Sequence, residues 1–473
     1  MVAINAVRDQ IPDERTEARA LPLWRGPGRG WSVDVLSEGD LSRLRDAVDR
    51  VLAETGVKVP SREVRGRLRT AGANVDDEAG LVRFSPSLVA AALARVPRTF
   101  RLGGRDPNAD LPVDGTLAWL GAAGPAATVA DLTSGARRAS TASDIADVAR
   151  LVDAVPQLAF IGLAAGGPRS VATSMVGTSK HVQVEMASDV AAAEALADVA
   201  RLVAGDAASL RARPLLSGVL DVDGSLSLDR LEAAAVLALQ GIPVGVRTVP
   251  ATDASAGSIA HAAAGAIGGV VCLQLLVPDA PSFVGCVPPG DARWHLAWVQ
   301  LARSLGVRSL VSAFPTGSAR SDWRAGMQGG LAATAGWMSP PDLFGGAGLR
   351  AHGHVSSLVA MLLDAELFDL VRQIPLGFDV DEDTLAVQVI ADVGPAEHYL
   401  GEQHTLQHFR ETWMSRFMDT STWEAWEEAG RPEATDHAAE RAREILAAHE
   451  PQPLAPRVAD RIEEVIAGYE RDR

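Results

Sequence analysis

Thr141-Ala142-Ser143-Asp144-Ile145-Ala146-Asp147-Val148-Ala149-Arg150-Leu151-Val152-Asp153-Ala154-Val155, followed by Phe160-Ile161-Gly162-Leu163, is the stretch whose reading sets the fold class. Its first four residues cap a helix, and Ile145, Val148, Val152 and Val155 recur at helical spacing. The short apolar run that follows reads as a strand. The same alternation continues downstream. Strands are expected at His181–Glu185, Leu215–Leu220, Ile242–Val249, Ser282–Cys286 and Arg308–Phe314, with helices near 190–204, 228–240, 256–277, 291–305 and 322–335. Strands alternating with helices imply a parallel sheet, and this many units favour a closed (β/α)8 TIM barrel over an open sheet, assigned here to 141–375.

Upstream, residues 34–140 read as an N-terminal α+β cap. Ser37-Glu38-Gly39-Asp40 caps a helix carrying Leu41, Leu44, Val48, Val51 and Leu52 and ending at Gly56. Shorter helices follow at about 61–71 and 86–95, and the Gly-, Pro- and Asp-rich segment from Phe100 to Leu132 predicts hairpins and loops. Residues 1–33 read as a poorly ordered arm in which Trp24 and Trp31 are the anchors. Downstream, 376–473 forms a C-terminal helical extension. Its apolar stripes, Ile445 and Leu446 and then Val458, Ile462, Val465 and Ile466, are expected to pack on the barrel or on a second subunit, and with Trp413, Trp423 and Trp426 they point to a homo-oligomer.

The chain has 473 residues, 47% of them hydrophobic, with a formal net charge of −16. That field repels phosphate backbones and anionic lipid, so neither nucleic acid nor a membrane surface is an expected partner. Two cysteines, Cys272 and Cys286, are too few for a disulfide scaffold and fit the cytoplasm, as does an N-terminus without an apolar signal-peptide run. Ala254 to Val277 carries no charge and exceeds the roughly 20 residues that a spanning helix requires. Its small residues, His261 and Gln274 favour a buried helix pair instead.

No phosphate-cradling loop, dinucleotide fingerprint, nucleophile elbow or His-Glu-x-x-His pattern occurs. Three histidine groups remain. In Thr178-Ser179-Lys180-His181, a solvated lysine and a packed histidine are the simplest reading. Arg350, His352 and His354 share one face if their stretch is extended, and they would then lie at the barrel's carboxyl mouth. His398, His404 and His408 form the third group. His404 and His408 are four apart, a spacing zinc can use on a helix, but a third protein ligand is not evident, so no metal is assigned.

Several separated motifs resemble the trimethylamine methyltransferase family. They include Glu54-Thr55-Gly56-Val57, Gly104-Arg105-Asp106-Pro107, Asp131-Leu132-Thr133-Ser134-Gly135, Thr178-Ser179-Lys180-His181, Asp364-Ala365-Glu366-Leu367, His404-Thr405-Leu406 and Ala448-His449-Glu450-Pro451. The resemblance spans about 35–455. It implies a barrel that takes a methyl group from a methylated amine and passes it to the cobalt of a separate corrinoid protein, with no cofactor held by the chain itself. Founding members carry pyrrolysine, whereas Thr316 to Asp322 here is uninterrupted, which suits a quaternary amine. Met327 and Gln328 stand where the family usually has an aromatic residue and an acid. The site implied at the barrel mouth has His352 and His354 as catalytic groups. Arg320, Trp323, Trp337, Trp294, Arg350 and Gln328 are its substrate-binding groups, the tryptophan faces serving a cation and an arginine serving any carboxylate. The alternative is a catalytically altered relative, a small-molecule binding protein or an enzyme of another reaction on the same barrel.

Overall fold

The computed structural model describes residues 23–24, 33–163, 167–186, 189–250, 255–288, 290–312, 316–376, 379–409 and 413–472. Eight parallel strands close on themselves: β1 Leu117–Ala123, β2 Phe160–Leu163, β3 His181–Glu185, β4 Leu216–Val222, β5 Val244–Thr248, β6 Ser282–Cys286, β7 Arg308–Ser312 and β8 Leu343–Ala347. Each pairs with the next, and β8 pairs with β1 to complete the ring. The (β/α)8 barrel is therefore present, with small sheets before it and helices after it.

Two of its strands fall where the sequence reading places loops. β1 lies in the segment read as hairpins, and β8 in a glycine-rich stretch read as a loop. Both are made of Gly, Ala and large apolar residues with no β-branched side chain, so neither carries the strand signal of Val and Ile. Their glycines answer to packing. A Cβ on Gly121 would lie 2.2 Å from the ring of Phe160, its register partner on the neighbouring strand β2.

The amino end of the barrel is a packed core. The antiparallel pair Phe100–Leu102 and Leu111–Val113 plugs it, and Leu102, Leu111 and Val113 cluster with the inward residues Trp119, Phe160, Val219, Phe283, Leu310 and Leu343. Trp119 Nε1 donates to Pro112 O at 2.8 Å, which satisfies the one polar atom of a buried indole. His181, fully buried above the plug, lies 3.0 Å by Nδ1 from Gly103 O and 2.9 Å by Nε2 from Ser217 Oγ. Burial draws this imidazole down to about 4 and so keeps it neutral. Nδ1–H then donates to the carbonyl and Nε2 accepts from the hydroxyl.

Lys180 is not solvated. Only 2% exposed, its ammonium donates to Val152 O, Val155 O and Leu158 O at 2.7, 2.7 and 2.8 Å. These acceptors lie at and just beyond the end of the helix Ala142–Ala154, whose last carbonyls lack helical partners. Beside it, Asp153 accepts from the Thr178 hydroxyl (3.0 Å), the Ser179 hydroxyl (2.7 Å) and His449 Nε2 (2.8 Å). Burial alone would raise this carboxyl, but the Ser179 and His449 donors hold it below the usual carboxylate range. One cluster thus joins a barrel helix, the start of β3 and the end of the tail helix Ala434–Ala448.

The uncharged stretch near 254–277 is one helix, Ala256–Leu276, rather than a pair, and it is long and apolar enough to cross a membrane. It is buried on both sides because it is wedged between barrel and cap. A Cβ on Gly268 would meet Val57 of the cap at 2.7 Å, and one on Gly269 would meet Val246 of β5 at 2.7 Å. Small residues on opposite faces let both layers approach, so no polar face is needed. The tail helices Ala434–Ala448 and Pro456–Arg471 lie along the outside of the barrel, against the helices Ala142–Ala154 and Val190–Ala204 respectively. Their apolar stripes are thereby covered within the chain. Trp24 belongs to a short strand paired with β1, while Trp31 lies outside the described residues.

Replacing Lys180 by Met removes the donor from three buried carbonyls while keeping the stem's volume. We expect chemical denaturation to show a loss of about 3 kcal/mol, the cost of leaving buried acceptors unpaired.

Candidate functional site

A cavity of about 700 Å³ opens at the carboxyl end of the barrel, the end at which barrel enzymes carry their sites. It exists because the inward positions above the aromatic layer hold little side chain. Gly162 of β2 and Gly345 and Gly346 of β8 line it, as does Gly124 just after β1. Phe160 forms part of its floor.

One sector of the wall is ionic. Arg247 of β5 donates through Nε to Asp221 Oδ1 at 2.7 Å and through Nη2 to Asp221 Oδ2 at 2.8 Å, and Nη2 also bonds Glu185 Oε1. Arg247 and Glu185 line the cavity together with Gln183. Burial disfavours the guanidinium charge, but the Asp221 and Glu185 carboxylates outweigh burial and raise its pKa above the ordinary arginine value. Two carboxylates and one guanidinium leave this sector with one net negative charge. Sequence reading missed all three residues. The available signal was a charged residue at or next to the carboxyl end of three buried strands, two of which are otherwise apolar or small.

A second sector is built by the loops after β7 and β8. His352, His354, Gln328 and Arg324 line the cavity there. The stretch from Arg350 to His354 is not extended, contrary to the sequence expectation. It turns sharply, with Ala351, His352 and Gly353 at φ of 51°, 56° and 88°. A left-handed conformation is costly for Ala and His. It is held by Ala351 N donating to Ser318 O at 2.7 Å and His352 N donating to Thr316 O at 2.8 Å. The turn sends His352 over Gly317, where a Cβ would lie 2.6 Å from Nε2. Thr316 Oγ1 also donates to Gln328 Oε1 at 2.8 Å, so one residue positions both groups.

The remaining predicted site residues lie elsewhere. Arg350 is buried and makes a two-pronged pair with Asp364, at 3.0 Å from Nη1 and 2.9 Å from Nη2. The same turn that brings His352 inward sends it to the helix Leu358–Leu376. Trp294 is buried among the outer helices and stacks on Trp298 with ring centroids 5.5 Å apart. Trp337 sits in the core cluster. Both belong to barrel helices whose inner faces meet neighbouring elements rather than the mouth. Trp323 opens its helix and is 84% exposed, and Arg320 is exposed in the preceding loop. Among the described residues no tryptophan lines the cavity, and Phe160 is the one phenyl ring in its lining.

Phe344 belongs to a smaller recess that shares Pro288, Gly290, Ser312 and Gln328 with the main cavity and includes His295. Burial draws His295 down to about 4, so it lines the recess as a neutral ring.

Residues 6–472 match the profile of the family described as trimethylamine methyltransferase (MTTB). A trimethylamine methyltransferase of Desulfitobacterium hafniense is 26% identical over 468 residues, covering 92% of this chain and 94% of that protein. A glycine betaine methyltransferase of the same species is 22% identical over 469 residues, covering 92% and 96%. The crystal structure of the monomethylamine methyltransferase of Methanosarcina barkeri aligns with a TM-score of 0.47 and 11% identity over 86% of this chain and 91% of that one. With a family match over nearly its whole length, the chain belongs to the trimethylamine methyltransferase family.

Proposed function

We propose that this protein removes a methyl group from a quaternary ammonium compound that also bears a carboxylate and delivers it to a separate corrinoid protein at the barrel mouth. The observation that carries this reading is the net negative charge of the Arg247–Asp221–Glu185 sector facing a second sector of donors, Arg324, His352 and His354. A zwitterion with its cation toward Glu185 and its carboxylate toward the imidazoles and Arg324 satisfies both. The tryptophan cage expected from the sequence is replaced by a fixed counter-charge beside Phe160. Family membership and the relatives acting on trimethylamine and glycine betaine support the reaction class.

A quaternary ammonium needs no added proton to leave as a neutral amine, so the chain's task is to hold and desolvate the cation. The corrinoid, when bound on its partner, supplies the nucleophilic metal that accepts the methyl group. Gly124, Gly290, Gly346 and Gly353 along the cavity place no side chain in the way of a broad planar group. Gln328 favours a second reading, binding without transfer, because an amide pinned by Thr316 stands where the family usually has an acid.

Calorimetric titration with glycine betaine, longer betaines and trimethylamine, followed by a methyl-transfer assay with reduced free cobalamin, tests both. We expect at least one carboxylate-bearing compound to bind about tenfold or more tighter than trimethylamine, a difference of about 1.4 kcal/mol, and to methylate the cobalamin. Glu185→Gln should weaken that binding by a similar factor. Binding without transfer selects the second reading, and no binding of any compound overturns both. Gly317→Ala, at a position without positive φ, should displace the His352 ring and lower affinity about tenfold with little change in the thermal midpoint.

A further inference from the structure

The histidine group read in the sequence as lacking a third metal ligand acquires one in the fold. His404 and His408 lie one turn apart on the helix Gln403–Phe409, with ring centroids 4.2 Å apart. The short helix Glu382–Leu385 presents Asp383 to them. His408 Nε2 is 3.5 Å from Asp383 Oδ2, and one donor atom from each of the three residues lies within 4.8 Å of the others. His404 Nε2 lies 2.8 Å from the backbone carbonyl of Asp383, a bond that holds the ring in place.

We infer that Asp383, His404 and His408 form a zinc site outside the barrel cavity, with solvent completing the fourth position. Zinc bonds of about 2.0–2.1 Å in a tetrahedral site put neighbouring donors about 3.3 Å apart. The 3.5 Å between His408 and Asp383 is within a few tenths of that edge, and the other donor pairs, within 4.8 Å, close on the ion by small side-chain rotations. Two neutral imidazoles and one carboxylate are a ligand set suited to this ion. Asp381 and Glu382, adjacent in the chain, add negative charge that favours a cation over an anion there. His404 and His408 are half-buried and Asp383 is exposed, so the site is accessible without unfolding.

The site ties a helix at 382–385 to one at 403–409 and thereby closes the connection between them. That connection carries Val387, Ile390 and Leu400, which are 66%, 52% and 74% exposed. A link through metal would restrain a segment that has little apolar burial of its own. The role assigned is structural, and it is independent of the reaction proposed for the barrel.

The test is equilibrium dialysis of the full chain against micromolar zinc with metal analysis, repeated with cobalt(II) to read tetrahedral ligation from its visible absorption. Chymotrypsin cleavage after Tyr399 and Leu400 gives a readout apart from metal content. The expected result is one zinc per chain, a tetrahedral cobalt spectrum and cleavage slowed several-fold by zinc. His404→Ala and His408→Ala should each lose the bound zinc, and Asp383→Asn should weaken binding about tenfold or more. His398→Ala, in the same segment but outside the cluster, should bind zinc as the wild type does. Circular dichroism checks that every variant is folded. No zinc retained by the folded wild type, or binding unchanged in folded His404→Ala and His408→Ala, overturns the proposal.

Discussion

The interior of a closed eight-stranded barrel has a fixed number of inward positions, and how they are filled decides where core ends and site begins. Here the lower positions hold Trp119, Phe160, Phe283, Leu310 and Leu343, sealed beneath by a two-stranded plug. The upper positions hold glycines on β2 and β8 and a single ionic group on β3, β4 and β5. Arg247 makes that arrangement stable. Without a cation between them, Asp221 and Glu185 would be two half-buried like charges on nearby strands, and removing one partner from such a group costs far more than the pair contributes. The guanidinium fork fits the Asp221 carboxylate with two nitrogens and reaches Glu185 with one of them, a geometry lysine could not reproduce.

Around this interior, the motifs that resemble the family divide into those that build the frame and those near the cavity. Asp153, Lys180, His181 and His449 are structural, since every polar atom named for them is satisfied within the protein at the barrel's amino end. Asp364 holds Arg350, and Glu366 accepts from the backbone N–H groups of Arg416 and Phe417, which fastens the tail to the helix Leu358–Leu376. Family likeness at these positions therefore reports the shape of the fold. The chemistry proposed for the barrel rests on other residues, Glu185 with Asp221 behind it and the imidazoles of His352 and His354.

The sequence was legible where local chemistry matches the final element. The caps at Ser37 and Thr141 and the strands rich in Val and Ile lie where the sequence pattern puts them. β1 and β8 were hidden because their Gly and Ala positions are explained by aromatic rings and a cavity contributed from distant parts of the chain. Of the residues that line the cavity, His352 and His354 could be found because they cluster in sequence just after the last strand, and Gln328 because it stands where the resemblance implies an acid. Trp294 and Trp337 were drawn in by chemical type and Arg350 by reading its stretch as extended, and their directions depend on packing that no local pattern encodes. Glu185, Asp221 and Arg247 are spread over more than sixty residues, and only barrel closure brings them together.

The central claim is that a fixed net negative charge in the cavity wall selects a cationic ligand. It is tested most directly by titrating the protein with glycine betaine and with tert-butylacetate, which has the same shape and carboxylate but carbon in place of the charged nitrogen. The account predicts that glycine betaine, with its charged nitrogen, binds at least about tenfold more tightly, a difference of about 1.4 kcal/mol. Equal or tighter binding of tert-butylacetate would contradict it.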